Sequence, residues 1–478
     1  MITFTLCLCF LVLMYFVYGR FVEKIWGPDN RKTPAYTQID GIDYIPMPTW
    51  KVFMIQFLNI AGLGPIFGAI LGAKFGMASF LWIVIGTVFA GATHDYLAGM
   101  LSMRNNGESL PETVGRYLGK PTKHVMRIFS LFLMILVGVV FLSGPADLLA
   151  DLTPDRFDVF FWIVVIFSYY LLATLLPIDK IIGKIYPLFA VALIFMAIGV
   201  LVMLFVHNPD IPEIWQGVQN THPMADQCPI FPIMFVSIAC GAISGFHATQ
   251  SPMMAKCLKS ERYGRPVFYG AMITEGIVAL IWAAAATYFY QQNGMAEGSA
   301  AKIVNNITRD WLGTVGGVLA ILGVIVAPIS TGDTALRTAR LICSDILKFS
   351  QKKLQNRLIL TIPIFVITMA LLWVSESGSG AFEKIWRYFA WFNQALSVFT
   401  LWTITVYLVT VSKNYVITLL PALFMTAVTS TYLFIAPECF GLSANIAYFL
   451  GGMCTLVSLI WFFLWKRNFD KNRRITTK

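Results

Sequence analysis

Thirteen apolar runs follow one another along the chain, each about as long as a bilayer is thick. A helix needs about 20 apolar residues to cross the hydrocarbon core. The runs fall at about 2–20, 51–73, 76–101, 125–146, 159–177, 184–206, 230–254, 266–290, 312–336, 358–374, 387–411, 415–436 and 444–465. They take up more than half of the 478 residues and leave short connections, with no room for a soluble catalytic domain. Hydrophobic residues make up 57% of the chain and charged residues 13%, against about 25% charged in an ordinary soluble domain. The mean hydropathy is +0.71. Disorder, a coiled coil, collagen and most soluble enzymes are excluded. The expected fold is an all-α polytopic membrane protein of about 13 transmembrane helices in the lipid bilayer. The first run has no basic segment before it and no small-residue cleavage site, and Arg20 follows it, so it reads as a retained span and not a signal peptide.

The basic residues then give the orientation. Connections on one side of the bilayer collect 29 of the 35 Lys and Arg residues, among them Arg104, Lys180, Lys256, Arg337, Lys352, Lys413 and the tail from Lys466 to Lys478. The other side receives Lys74, Arg156, Lys302, Arg309, Lys384 and Arg387. Cytoplasmic loops carry the Lys/Arg excess. The amino terminus is therefore expected outside and the carboxyl terminus inside the cell. This asymmetry also accounts for the net charge of +10 without a nucleic-acid partner.

Two of the runs are interrupted. Span 2 contains AGLGPIFGAILG at 61–72, with Pro65 after Gly64 in mid-span, and Gly62 two residues before Gly64. Proline removes a backbone donor and glycine loosens the helix, so the helix should break there. Span 7 contains ACGAISGFHATQSP at 239–252, where Gly241, Ser244 and Gly245 precede His247, Thr249 and Gln250. Irregular polar backbone at membrane depth is tolerated only where it is buried in protein or lines a cavity. The interruptions are five spans apart, an odd number, so a second five-helix unit would be inverted relative to the first. This predicts two inverted repeats, 51–206 and 207–411, each opening with a broken helix. Residues 1–50 form a preceding span and loop, and residues 412–478 form two further helices and a basic tail. Corresponding broken spans in two halves mark a transporter's binding site, with amide donors for an anion and carbonyls for a cation.

Ionisable residues at membrane depth are costly, and each is a functional candidate. Span 3 holds His94 and Asp95, span 8 holds Glu275 and span 9 holds Asp333. Asp333 and Arg337 are four apart on one helical face and can pair structurally. Asp95 can likewise pair with arginines of the neighbouring loop. Glu275 has no basic residue within a turn, which makes it the first candidate proton carrier, with His247 beside it in the chain order of spans. Ser330 and Thr331, next to Asp333, offer hydroxyls that can ligate Na⁺ or simply bond to their own helix. The cysteines show no metal-binding spacing and read as small core residues; a Cys228–Cys439 disulfide on the outer side is the one pairing left open. No HExxH, GxSxG or P-loop pattern is present, and neither a cofactor nor a metal site is expected.

At these residues the chain resembles the carbon starvation protein A family of bacterial inner-membrane transporters. The resemblance rests on TPAYTQIDGIDYIP (33–46), AGLGPIFGAILGAKFG (61–76), AGATHDY (90–96), ACGAISGFHA (239–248) and LRTARLICSDIL (336–347). It implies uptake of peptides or pyruvate, and the five-plus-five inverted repeat of the amino acid–polyamine–organocation superfamily, with the two glycine motifs on its unwound helices. It also implies an aspartate at Asp333. Longer members carry extended loops and a longer carboxyl-terminal region, and some carry a His-His pair where this chain has Ile55 and Gln56.

Together these readings describe a secondary active transporter, not an enzyme, importing small carboxylate-bearing nutrients across the plasma membrane with H⁺ as the coupling ion. The competing readings are a Na⁺-coupled amino-acid-type transporter and a channel or nutrient sensor. The expected substrate site is Gly62, Gly64, Pro65, Gly241, Ser244, Gly245, His247, Thr249 and Gln250. The expected ion-coupling groups are Glu275, Asp333, Asp95, Ser330 and Thr331. Nothing in the sequence fixes an oligomeric state.

Overall fold

The apolar runs become helices, and the glycines and prolines between them decide where each helix bends or stops. The computed structural model describes residues 1–40, 44–175, 182–294, 299–349, 353–376, 378 and 381–476. Residues 41–43 of the 33–46 motif, and Lys180, Lys352 and Lys478 of the basic side, lie outside them. Among the described residues every regular element is helical. In chain order the helices are α1 (Ile2–Trp26), α2 (Thr49–Ile60), α3 (Gly64–Ala73), α4 (Met77–Arg104), α5 (Leu110–Leu118), α6 (Lys120–Leu152), α7 (Val159–Leu175) and α8 (Ile182–His207). They continue with α9 (Gly245–Ala255), α10 (Gly270–Asn293), α11 (Ala300–Leu347), α12 (Leu354–Glu376), α13 (Ala381–Thr410), α14 (Val416–Ile435) and α15 (Ala444–Thr476).

Among the described residues nine helices are long and apolar enough to cross a membrane, or ten if the bent pair α2–α3 counts as one span. The chain is thus a multi-pass membrane protein. The remaining apolar runs lie on the shorter α7, on the broken segment ending in α9 and within the long α11. The helices sort into an inner set and a lipid-facing set. In their most apolar stretches α4 is 83% buried and α13 78%, whereas α1 is 22% and α15 17% buried. Outward side chains such as Phe449 and Trp461 on α15 are exposed and apolar. That surface is stable only against lipid tails. α11 packs along α6 and α8, α3 lies against α10, and α9 is enclosed by α2, α4 and α13. The eight cysteines are free, Cys228 and Cys439 included.

At the end of the bundle where α4 stops, a fully buried carboxylate ties three segments together. Arg104 donates to Glu261 through Nε at 3.0 Å and Nη2 at 2.9 Å, and the Asp29 N–H donates to it at 3.1 Å. The Arg104 guanidinium also stacks 4.3 Å from the centroid of the Trp26 ring, whose carbonyl accepts from Lys413. The loop after α1 is laced down beside this pair, with Thr33 Oγ1 donating to the Leu258 carbonyl at 2.5 Å and the Met47 N–H to the Cys257 carbonyl at 3.1 Å. Removing one partner of a buried pair strands the other charge and costs about 3–5 kcal/mol. Glu261→Ala is therefore expected to lose about that much stability, read as a lower thermal unfolding midpoint in detergent. An unchanged midpoint would show that the loop is held by something other than Glu261.

Candidate functional site

Both expected breaks are present, and they touch. α2 and α3 meet at 46°, with residues 61–63 outside either helix. Pro65 sits in the first turn of α3, where its missing N–H breaks no helical bond. Among the described residues no acceptor faces the N–H groups of Gly62, Leu63 and Gly64. In span 7 the helix stops at Ile238, and Gly241 takes φ +87°, a conformation that L side chains rarely adopt. The chain resumes as a helix at Gly245, after Ser244 in extended backbone. A Cβ at Gly64 would lie 2.3 Å from Cys240 Cβ, and one at Gly241 would lie 3.5 Å from Pro65 Cα. The glycines thus let the two irregular segments press backbone to backbone. α4 comes equally close: a Cβ at Gly91 would lie 2.2 Å from the Ala242 carbonyl oxygen. A π-helical turn at Gly86–Gly91 bulges α4 there, and the Thr87 hydroxyl donates to the Gly241 carbonyl at 2.7 Å. Such single-turn bulges occur mostly at functional sites.

Beside the junction lies a chain of four buried ionisable side chains. The Asp95 carboxylate bridges two histidines, one oxygen 2.8 Å from His94 Nδ1 and the other 2.8 Å from His247 Nδ1. The Nε2 of His247 faces Glu275 Oε2 at 3.3 Å, close but not aligned as a hydrogen bond. All four side chains are fully buried. When Asp95 is ionised it only accepts, and each neighbouring Nδ1 then carries a proton. His247 then exchanges a proton only through Nε2, which faces Glu275. One donor atom each of Cys240, His247 and Glu275 lies within 4.8 Å of the others. α4, α9 and α10 each contribute to this chain, so relative movement of these helices changes it directly.

The other expected residues fall in different places. Ser244 donates to Asn393 Oδ1 at 3.0 Å. Thr249 donates to the Phe246 carbonyl at 2.6 Å and receives Gln250 Nε2 at 3.0 Å along α9. Asp95 bonds to buried histidines and not to loop arginines, because α4 carries it into the bundle interior. Asp333, on α11, accepts from Tyr169 at 2.9 Å and from Thr334 at 3.3 Å, while Arg337 donates to the Ala173 carbonyl. Ser330 and Thr331 both donate to the Ala327 carbonyl, at 2.7 and 3.1 Å. Cys240 is more than a core filler: the break folds it against His247, seven residues away in sequence. Sequence reasoning missed Asn393 and Gln394, although two amides inside the apolar run 387–411 were a readable signal. His94 was visible only as the neighbour of Asp95, and Thr87 gave no signal.

This arrangement is a polytopic helical fold shared with solved membrane proteins. The structure aligns with a manganese transporter of Eremococcus coleocola at a TM-score of 0.57 and 13% identity, over 90% of this chain and 99% of that one. It aligns with MhsT, solved in complex with L-phenylalanine, at a TM-score of 0.57 and 14% identity, over 84% and 98% of the two chains. At such identities the likeness is one of fold alone. The chain belongs to the carbon starvation protein CstA family, which matches residues 1–161, 155–309 and 293–432. A membrane protein of Haemophilus influenzae is 42% identical over 340 residues, 61% of this chain and 92% of that one. The Bacillus subtilis peptide transporter CstA is 28% identical over 570 residues, covering 96% and 94%. The Escherichia coli pyruvate/proton symporter BtsT is 28% identical over 340 residues, and this chain spans 47% of its length. The family and these characterised relatives are transporters, not enzymes.

Proposed function

We propose that the protein is a secondary active transporter of the bacterial inner membrane that imports small carboxylate-bearing nutrients, peptides or pyruvate, together with protons. The observation that carries this reading is the buried row His94–Asp95–His247–Glu275 lying against the junction of two broken helices. The unpaired N–H groups of Gly62, Leu63 and Gly64 lie in the break and at the first residue of α3, where a carboxylate gains both donors and the helix dipole. The names of the relatives support peptides and pyruvate as substrates, and the family name supports a role in carbon starvation. On this reading the chain crosses the membrane thirteen times. Residues 51–206 and 207–411 are inverted five-span units, preceded by the span of residues 1–50 and followed by the two helices and tail of 412–478. Substrate meets the glycines of both breaks, and Glu275, His247 and Asp95 carry the coupling proton. Ser330, Thr331 and Asp333 form the reserve site that a Na⁺-coupled transporter would use. The test is a panel of peptides and pyruvate in proteoliposomes, with pH and sodium gradients imposed separately. Uptake that follows only the sodium gradient would overturn the proton assignment, and no saturable uptake of either class would overturn the substrate assignment.

The same reading places the amino terminus outside and the carboxyl terminus in the cytoplasm, on the Lys/Arg asymmetry. Met224, in the loop after α8, is 52% exposed, and Lys471 is exposed on the final helix. In a cysteine-free background, Met224→Cys is expected to react with an impermeant thiol reagent on intact cells, and Lys471→Cys only after lysis. The reverse pattern would invert the assigned orientation.

A further inference from the structure

Asn393 and Gln394 are neighbours on α13, both fully buried, and they take opposite ends of one break. Asn393 Oδ1 accepts from the Phe246 N–H at 2.7 Å and from the Ser244 hydroxyl at 3.0 Å, and its Nδ2 donates to Cys240 Sγ at 3.4 Å. Gln394 Nε2 donates to the Phe235 carbonyl at 3.3 Å and the Ala239 carbonyl at 3.4 Å. A helix broken inside a bilayer exposes carbonyls at the end of its first half and amides at the start of its second, and water is not there to satisfy them. Asn393 supplies an acceptor to the amide end, and Gln394 supplies a donor to the carbonyl end. Successive side chains on a helix point about 100° apart, so one dipeptide reaches both ends only because the break lies across α13. Gly245 fixes that crossing: a Cβ there would meet Asn393 O, Leu396 Cβ and Ser397 N, each at 2.4 Å. Phe246 directly precedes His247, so the bond that holds the Phe246 amide anchors the backbone from which the His247 ring reaches Asp95.

We infer that Asn393 and Gln394 are positioning residues that clasp the span 7 break and aim His247 at Asp95 and Glu275. The inference rests on the reading of this junction as the transport site, and its test has an arm that needs no transport. With the other cysteines replaced, Cys240 alone reports the break through alkylation by a permeant maleimide in detergent-solubilised protein. Asn393→Ala removes three buried hydrogen bonds and is expected to speed that alkylation at least about tenfold, the equivalent of about 1.4 kcal/mol. In counterflow the same variant is expected to raise KM about tenfold with Vmax nearly unchanged. Asn393→Asp, which keeps an acceptor oxygen in place, should recover most of the KM loss, an outcome that mere packing damage does not give. Gln394→Ala should move both readouts the same way, and it supplies them if Asn393→Ala is not recovered folded. Thr400→Val is the control, since its hydroxyl bonds only within α13, to the Leu396 carbonyl at 2.9 Å. Folded Asn393→Ala and Gln394→Ala proteins with wild-type alkylation and KM would overturn the clasp. Faster alkylation with no transport of any tested solute, wild type included, would uphold the clasp and remove the transport reading instead.

Discussion

Glu275→Gln is expected to leave substrate counterflow intact and to abolish uphill uptake driven by a pH gradient. Glutamine keeps the size and polarity of the side chain but cannot take or release a proton. Counterflow exchanges substrate without net proton movement, so it needs the alternating site but not the proton. Concentrative uptake needs both. One pH unit is worth 1.36 kcal/mol per proton, about a tenfold accumulation. A monocarboxylate entering with one proton moves no net charge, so the membrane potential, worth about 2.3 kcal/mol per charge per 100 mV, adds nothing to that figure. The variant should thus fall from about tenfold accumulation per pH unit to none, while its counterflow rate stays near wild type. Glu275 is the member of the buried chain on which this test is sharpest. Asp95 is held by two histidines, whereas neither oxygen of Glu275 makes an aligned hydrogen bond. If Glu275→Gln still concentrates substrate under a pH gradient, the coupling role passes to Asp333 with Ser330 and Thr331, and a sodium gradient becomes the next driving force to apply.

What the sequence could and could not disclose follows from the range of the interactions involved. The breaks were legible because glycine and proline act on their own backbone: Gly64–Pro65 and Gly241 to Gly245 disrupt a helix wherever it packs. Asp95, His247 and Glu275 were legible one by one, since each is costly at membrane depth. Their connection was not legible, because residues 95, 247 and 275 meet only after α4, α9 and α10 have packed. Short-range spacing told only part of the pairing for the same reason. The four-residue spacing of Asp333 and Arg337 suggested an ion pair, yet Tyr169 from α7 reaches the carboxylate and Arg337 turns to a backbone carbonyl. Thr249 and Gln250 were legible by their polarity, whereas the local bond between them along α9 was not. Asn393 and Gln394 show the converse case. Two amides in an apolar run are an open signal, and what they bond to lies about 150 residues earlier in the chain.

At Gly64 the smallest addition of volume is expected to be highly damaging to transport. An alanine Cβ there would sit 2.3 Å from Cys240 Cβ and 2.4 Å from its Sγ. Cβ is fixed to the backbone, so rotation of the cysteine relieves only the contact with sulfur. The remaining overlap must be relieved by moving α3 away from the span 7 break, by something near 1 Å. That displaces the amides of Gly62 to Gly64 that this reading gives to the substrate carboxylate. A misplacement of that size costs about 100-fold in a positioned site. Gly64→Ala is therefore expected to lower initial uptake about 100-fold per molecule of folded protein, whereas Gly64→Leu should also lower the yield of folded protein through overpacking. The cause can be separated from the loss by a second change on the facing segment. Cys240→Gly removes both opposing atoms and should restore much of the uptake of Gly64→Ala, while Cys240→Ala keeps Cβ and should restore little. Contacting residues are where such non-additivity is expected. If the Gly64→Ala, Cys240→Gly double variant transports no better than Gly64→Ala alone, with both proteins folded, close approach of the two breaks is not what Gly64 provides. Its role would then be confined to the bend of α2 into α3.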